Sequence, residues 1–500
     1  MGIVIRQSVK GSIVNYVGAF IGFLTTLYII TKFLTAEEYG LTRVLIDASV
    51  LLAALAQLGT TNSIIRFFPY FKSEDKKHNG FFGLSMLIPF VGLVFFSILY
   101  LLLKQPIVHF FSEKSALFLE YFYYVIPFAV FWVYISVFET YSNVLHRIVV
   151  PRFIREVGIR IMAIVVYLLW AFRFVTFDTF ILLFILMYGA AAVLNLMYVF
   201  ALKQYSFKPN FEIAKPLRKN FYSYTAFLLP AALGGTIIAK IDTFMVSSML
   251  GLEHTGIFAI AYFIAVIVEI PYRSVSAISM PIISDYLKEE DYKSVGFHYK
   301  KVSLNQLLIG GLIFLLIWVN IDPIYAILPN GDIYKSGIPV VLFIALSRLI
   351  DSGFNFGLSI LSLSKYYYYY LFFIFFLAGL GIATNYLFIA IYKMGITGAA
   401  LSTFISFVIY NLLIIFIVYK KMKVAPFSVG MLKVAALIGV LLVLNYIIPS
   451  MTNPYIEIVV RGLLTSTIFL LTAYHWKISQ DTNHVILMIL GRLKGYLGRG

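Results

Sequence analysis

Long apolar runs separated by short polar ones make up nearly the whole chain. Runs long enough to cross a bilayer, about 20 residues, fall at 12–31, 41–63, 80–103, 116–143, 154–172, 179–202, 222–250, 255–279, 302–320, 337–363, 367–391, 396–419, 431–449 and 455–475. The pattern predicts fourteen helices, numbered here as spans 1 to 14. Loops at Lys365 and near Lys393 part spans 10, 11 and 12 only narrowly.

Polar residues inside the spans are not scattered. On a helix, residues three, four and seven apart share a face. Arg43, Asp47, Gln57 and Thr61 align in span 2, and Trp132, Ser136, Glu139 and Asn143 in span 4. Tyr262, Glu269, Arg273 and Ser276 align in span 8. Span 10 carries Arg348, Asp351, Ser352, Asn355, Ser359 and Ser362. In span 7, "AKIDTF" sets Lys240 and Asp242 two apart, so on a regular helix they point about 200° from each other. Lys240 shares its face with Thr236, Thr243 and Ser247. Asp242 shares its face with Gly235, Ile238, Met245 and Met249, which reads as a packing seam.

Composition fixes the class. The chain is 61% hydrophobic and 12% charged, against about 25% charged in soluble proteins, so it is an all-α integral membrane protein. The absence of cysteine excludes disulfides, thiolate nucleophiles and Cys-based metal sites. The first apolar run continues to Ile30 without a small-residue cleavage site and is read as a retained span. Gly2 lacks the Ser or Thr at position 6 that myristoylation needs.

Lys and Arg set the orientation. With a cytoplasmic N-terminus, 26 of the 39 basic residues fall on the inside, against six outside: Lys32, Lys104, Lys114, Arg173, Lys335 and Lys393. Both termini are therefore expected in the cytoplasm. The net charge of +16 is then a matter of topology and no sign of a nucleic-acid partner. The tail "HVILMILGRLKGYLGRG" is expected along the inner membrane surface, and the tyrosines of "KYYYYYLFF" in an aromatic belt.

An internal repeat organises the spans. "LTAEEYGLTRV" at 34–44 matches "LGLEHTGIFAI" at 250–260 at an offset of 216, and Asn195 maps to Asn411 at the same offset. The expected organisation is a six-helix lobe at 1–204, a linker at 205–220, a second six-helix lobe at 221–423, two appended helices at 424–478 and a basic tail at 479–500. Six helices per copy return the chain to the same side. The pseudo-symmetry axis should then run along the membrane normal, and paired lobes of this kind hold a path opened alternately to each side.

"LTAEEYG" at 34–40, "IIRFFPYF" at 64–71, the glycine-spaced stretch from Ile241 through Gly251 and Gly256 to Tyr262, and "MPIIS" at 280–284 occur in order along the fourteen spans. Together they resemble the polysaccharide and O-antigen (Wzx-type) flippases of the multidrug/oligosaccharidyl-lipid/polysaccharide exporter superfamily. The resemblance covers nearly the whole chain. It implies a flippase moving undecaprenyl-pyrophosphate-linked oligosaccharide across the bacterial inner membrane, alongside membrane lipids and, in the same biosynthesis, glycosyltransferases and a polysaccharide polymerase.

The stripes offer chemistry for such a substrate. Arg43, Lys240, Arg273 and Arg348 suit phosphate oxygens, whereas Asn355 and Trp132 suit sugars. Facing them are Asp47, Glu139, Asp242, Glu269 and Asp351, so the deep charges nearly balance. A pyrophosphate could instead be caught where Arg66, Arg155 and Arg160 gather near helix ends. The bland reading is that Arg43–Asp47, Glu269–Arg273 and Arg348–Asp351 are self-satisfied pairs one turn apart. Glu139 and Asp242 have no such partner and are the better candidates among these carboxylates for a coupling H⁺ or Na⁺, Asp242 being expected either to pair with a neighbouring helix or to titrate. No cofactor or metal is expected, because the seven histidines show no ligand spacing. A drug/cation antiporter of the same superfamily is the first alternative, though the extra helix pair favours the lipid-linked substrate. A membrane polymerase or glycosyltransferase is the second. It is disfavoured by short outside loops and the absence of D-x-D and H-E-x-x-H.

Overall fold

The computed structural model describes residues 3–208, 230 and 233–483. The Arg273 side chain, most of the expected linker, the start of span 7 and the tail from 484 lie outside the described residues. The described chain is helical, and eleven of its helices are long and apolar enough to cross a membrane. In chain order the helices are α1 (Ile13–Phe33), α2 (Ala36–Phe71), α3 (His78–Leu102), α4 (Phe122–Val144), α5 (149–171), α6 (Phe177–Ala201), α7 (233–249), α8 (252–288), α9 (Tyr292–Trp318), α10 (338–363), α11 (Tyr368–Ile391), α12 (Gly395–Met422), α13 (Val429–Asn445) and α14 (Pro454–His475). Each overlaps an expected span, with α2, α8 and α9 running eight to ten residues further at one end and α7 described only from 233. The protein is a multi-pass, all-α membrane protein.

The start of α2 shows how local sequence sets a boundary. Thr35 and Glu38 of "LTAEEYG" form a capping box: the Glu38 amide donates to Thr35 Oγ1 at 3.1 Å, and the Thr35 amide donates to Glu38 Oε2 at 2.9 Å. Two orphan amides are thereby satisfied at the positive end of the helix. Asp291 caps α9, its carboxylate accepting from the Ser294 amide at 3.0 Å. Hydrogen bonds from the Ser294 hydroxyl and amide hold this carboxyl below the usual range.

Several spans expected as unbroken helices are interrupted. Leu58 and Gly59 take left-handed φ values of 47° and 69° and break α2 into Ala36–Ala56 and Thr60–Phe71. A 3₁₀ turn at Val266–Glu269 interrupts α8, and Asn355 divides α10 into Ile338–Phe354 and Phe356–Leu363. Single π turns occur at Thr25–Ile30, Ile154–Gly158 and Tyr386–Ile391. Hydropathy reports burial and is blind to hydrogen-bond register, so none of these is visible in the apolar pattern. Such irregularities gather at functional positions.

Contacts divide the chain into two units, Met1–Gly256 and Ile257–Gly500. In the first, α2 packs on α3 and α4, α4 on α6, and α6 on α5. In the second, α8 packs on α9 and α10, α10 on α12, and α12 on α11, while α13 and α14 pack on α9. The packing order of α2–α6 thus recurs in α8–α12. Side chains echo it: Asn195 Nδ2 donates to the Ala191 carbonyl at 2.9 Å and Asn411 Nδ2 to the Phe407 carbonyl at 2.9 Å, each four residues back.

Within the first unit, two glycines of the repeat meet reciprocally. A Cβ on Gly40 would collide with the Leu252 carbonyl, and one on Gly256 would collide with the Ala36 carbonyl. Both pairs are related by the offset of 216 seen in sequence. Only glycine allows the backbones this approach.

Candidate functional site

In the first unit the charges gather on Asp47, whose side chain is fully buried. Lys240 Nζ of α7 lies 2.6 Å from Oδ1, and Arg43 Nε, one turn back on α2, lies 3.4 Å from Oδ2. Arg43 and Asp47 are brought together by helical spacing alone. Lys240 is 193 residues away in sequence and arrives through packing. Both cations keep part of their surface open, 30% of the Arg43 side chain and 18% of that of Lys240. Asp242 is buried two residues on from Lys240. The expected seam on its face is partly present: Met245 is buried, but among the described residues nothing stands within 4 Å of a Cβ on Gly235. Trp132 is half-buried with its ring 5.6 Å from that of Tyr188. Tyr188 of α6 lies within electrostatic reach of Arg43 and Arg160 and was not among the expected site residues. No polar stripe marks it in sequence.

Glu139 has no partner one turn away on α4, but its partner comes from α5. Arg155 Nη1 lies 2.7 Å from Glu139 Oε2, and its Nε lies 3.3 Å from Glu156 Oε1. Arg160 pairs with the other Glu156 oxygen at 3.4 Å. Its guanidinium lies in the groove left by Gly18 and Gly22 of α1, where a Cβ would come within 2.9 Å of it. The small-residue seam of α1 therefore receives an arginine and the backbone of α5. Of the three arginines expected to catch a headgroup, Arg155 and Arg160 are engaged by carboxylates, and Arg66 is exposed beside the Phe67 ring.

In the second unit Arg348 of α10 is the hub. Its guanidinium donates to Tyr262 Oη at 2.9 Å, lies 3.4 Å from Glu269 Oε2 and stands 5.0 Å from the centre of the Phe407 ring. The close ion-pair contact of Arg348 is thus with Glu269, while the Asp351 expected from spacing stays within its electrostatic reach. Tyr262 and Glu269 both lie on α8, and the 3₁₀ turn ends at Glu269. Asp351 is held by amides: Asn411 Nδ2 of α12 lies 3.2 Å from Oδ1, and Asn355 Nδ2 lies 3.4 Å from Oδ2. An arginine held by a carboxylate, a phenol and a ring face is oriented for planar recognition of an oxyanion.

A further cluster was missed. Arg461 of α14 is buried against Glu457 at 2.9 Å and also donates to Asn445 Oδ1 and to the Ile448 and Val319 carbonyls, at 3.1, 3.1 and 3.3 Å. It ties α13, α14 and the end of α9 together. The i,i+4 spacing of Glu457 and Arg461 inside span 14 was its available signal.

The sequence model of a family described as polysaccharide biosynthesis protein matches residues 8–287, more than half of the chain. No curated protein matches the chain in sequence. Among solved structures, the chain is similar to the lipid II flippase MurJ in an inward closed conformation, with a TM-score of 0.71 at 14% identity, covering 94% of this chain and 100% of that one. It is similar to an inward-facing multidrug resistance MATE family transporter of the MOP superfamily, with a TM-score of 0.59 at 14% identity over 85% and 98% of the two chains. A MOP superfamily transporter from Pyrococcus furiosus, whose binding pocket is described as having reverse polarity, matches with a TM-score of 0.54 at 14% identity over 84% and 95%. At these identities the likeness is one of fold.

Proposed function

The chain belongs to the polysaccharide biosynthesis protein family, and from that premise we propose that it is a flippase for lipid-linked oligosaccharide, carrying a polyprenyl-pyrophosphate-linked glycan across the bacterial inner membrane by alternating access. The observation that carries this reading is the Arg43–Asp47–Lys240 cluster. Two cations share one buried carboxylate, and each keeps surface to spare. An anionic headgroup can add to such a cluster without leaving a buried charge uncompensated, which is the costly event in a membrane interior. Arg348, Asn355 and Trp132 supply further polar and aromatic contacts for phosphate and sugar. At Asp47, Glu139 and Glu269 the arrangement suits the antiporter alternative less well, because each is engaged by Lys or Arg, whereas an organic cation needs an available carboxylate; Asp351, held by amides, is the carboxylate that alternative would use.

Both termini are assigned to the cytoplasm from the basic-residue bias. The repeat halves 1–204 and 221–423 are assigned as the moving lobes, and glycosyltransferases and a polymerase as partners in the same biosynthesis. Glu139 is assigned as a carrier of the coupling H⁺ or Na⁺, exchanging its contact with Arg155 as it titrates; Asp242 is the second candidate. Reconstituted protein in vesicles loaded with a lipid-linked oligosaccharide tests the main reading. Translocation is expected for the wild type and not for Lys240→Ala or Arg348→Ala. Uptake of a cationic drug with no movement of lipid-linked sugar would select the antiporter instead. Glu139→Gln should abolish dependence on the ion gradient, and unchanged dependence removes Glu139 from that role.

A further inference from the structure

An apolar cavity of about 350 Å³ lies in the first unit, between α2, α3, α7 and the short helix Lys104–Phe111. This volume is within the range of pockets that hold small ligands, roughly 300–1,000 Å³. Its walls include Leu52, Phe96, Tyr100, Phe111, Phe244 and Met245. Among the described wall residues Tyr100 alone has a polar side-chain group, and its hydroxyl donates to the Phe122 carbonyl at 3.2 Å. None of the described wall residues is left to hold water, and a cavity without polar partners stays dry. The rim is open: Leu99, Leu103 and Phe110 are 37%, 44% and 46% exposed. Leu99 belongs to the apolar span of α3, and Leu103 and Phe110 continue its apolar surface past the C-terminal end of that span, so the cavity opens on an apolar surface.

We propose that the occupant is the polyprenyl tail of the transported lipid; this rests on the flippase reading above. Two observations select it over a bulk acyl chain. First, the cavity backs onto the helix segments that carry the charged cluster: Ala48, next in sequence to Asp47, and Ile241, next to Lys240, both line it, while the charged side chains themselves leave the helices about 100° away. A tail seated there lies alongside the segments that hold Lys240 and Asp47. Second, the wall is rich in aromatic faces. A tail already in hydrocarbon gains no hydrophobic transfer energy on entering, so selection rests on shape and dispersion. A methyl-branched chain with planar alkene units presents flat segments to ring faces, and a straight acyl chain does not.

The test is photolabelling of the full-length protein in lipid nanodiscs with a diazirine-bearing polyprenyl phosphate that carries no sugar. Label is expected on the segment containing Ile241, Phe244 and Met245. Unlabelled polyprenyl phosphate should compete about tenfold better than phosphatidylglycerol, a difference that shape selection must supply. Leu52→Trp, which fills the cavity, should remove most of that label; Met245→Phe is the milder variant should the tryptophan protein fail to fold. Equal competition by phosphatidylglycerol, or labelling unchanged by a folded cavity-filling variant, overturns the proposal. Wild-type translocation of lipid-linked oligosaccharide is measured in parallel. Translocation with unchanged labelling of the filled variants rejects the tail site and leaves the flippase reading standing. No translocation with the expected labelling rejects the flippase reading and leaves a polyprenyl-binding site.

Discussion

Replacing Lys240 with methionine tests the centre of the first-unit cluster. At an effective dielectric of about 20, unit charges 2.6 Å apart attract by about 6 kcal/mol and charges 3.4 Å apart by about 5 kcal/mol. Asp47 therefore keeps nearly half of its Coulombic attraction, through Arg43, when Lys240 is lost. Removing one partner of a buried pair costs about 3–5 kcal/mol when the other charge is left alone. With Arg43 still present, Lys240→Met should cost about 2 kcal/mol. Asp47→Asn combined with Lys240→Met removes the carboxylate that Lys240 answered and leaves Arg43, 30% exposed, to solvent, so it should recover to within about 1 kcal/mol of the wild type. A double-mutant cycle on detergent-solubilised protein, read by denaturant unfolding, measures the coupling directly. A loss below about 0.5 kcal/mol for Lys240→Met, the scale of an ordinary surface substitution, would refute the ion pair as a stabilising contact. Transport separates structure from function. If Lys240 also binds substrate, the double variant is stable and inactive. A stable and active double variant removes Lys240 from the substrate path.

Arg348→Lys should retain a charge near Glu269 but lose the planar fork that holds Glu269 and Tyr262 together. Complementation of a flippase-null strain should fall well below wild type, and full activity would show that charge alone suffices. Gly40→Ala and Gly256→Ala should each force apart the backbones at Leu252 and Ala36, respectively; both should lower the yield of folded protein, with similar effects because the contact is reciprocal, and wild-type yield from either refutes the close approach. Arg461→Met strands Glu457 in a buried site and should cost about 3 kcal/mol, recovered largely by adding Glu457→Gln; failure of that rescue would place the loss in the carbonyl contacts of Arg461.

The sequence by itself determined the class and, to within several residues, where most of the described helices lie. Each depends on properties that repeat locally. A bilayer demands about 20 apolar residues per crossing, and a duplicated unit keeps its spacing, so Gly40 with Gly256 and Asn195 with Asn411 stand 216 apart whatever the fold does. The Arg43–Asp47 pair was legible for the same reason, being one helical turn long. Which charge answers which was otherwise decided by tertiary structure. Lys240 reaches Asp47 across 193 residues, Arg155 reaches Glu139 from the next helix, and Arg348 turns to α8 although Asp351 lies one turn away on its own helix. A partner one turn away is only one candidate among those that packing presents. A buried charge takes the partner whose geometry best offsets its desolvation, and the position of that partner is written in how the helices pack, not in the spacing along any one of them.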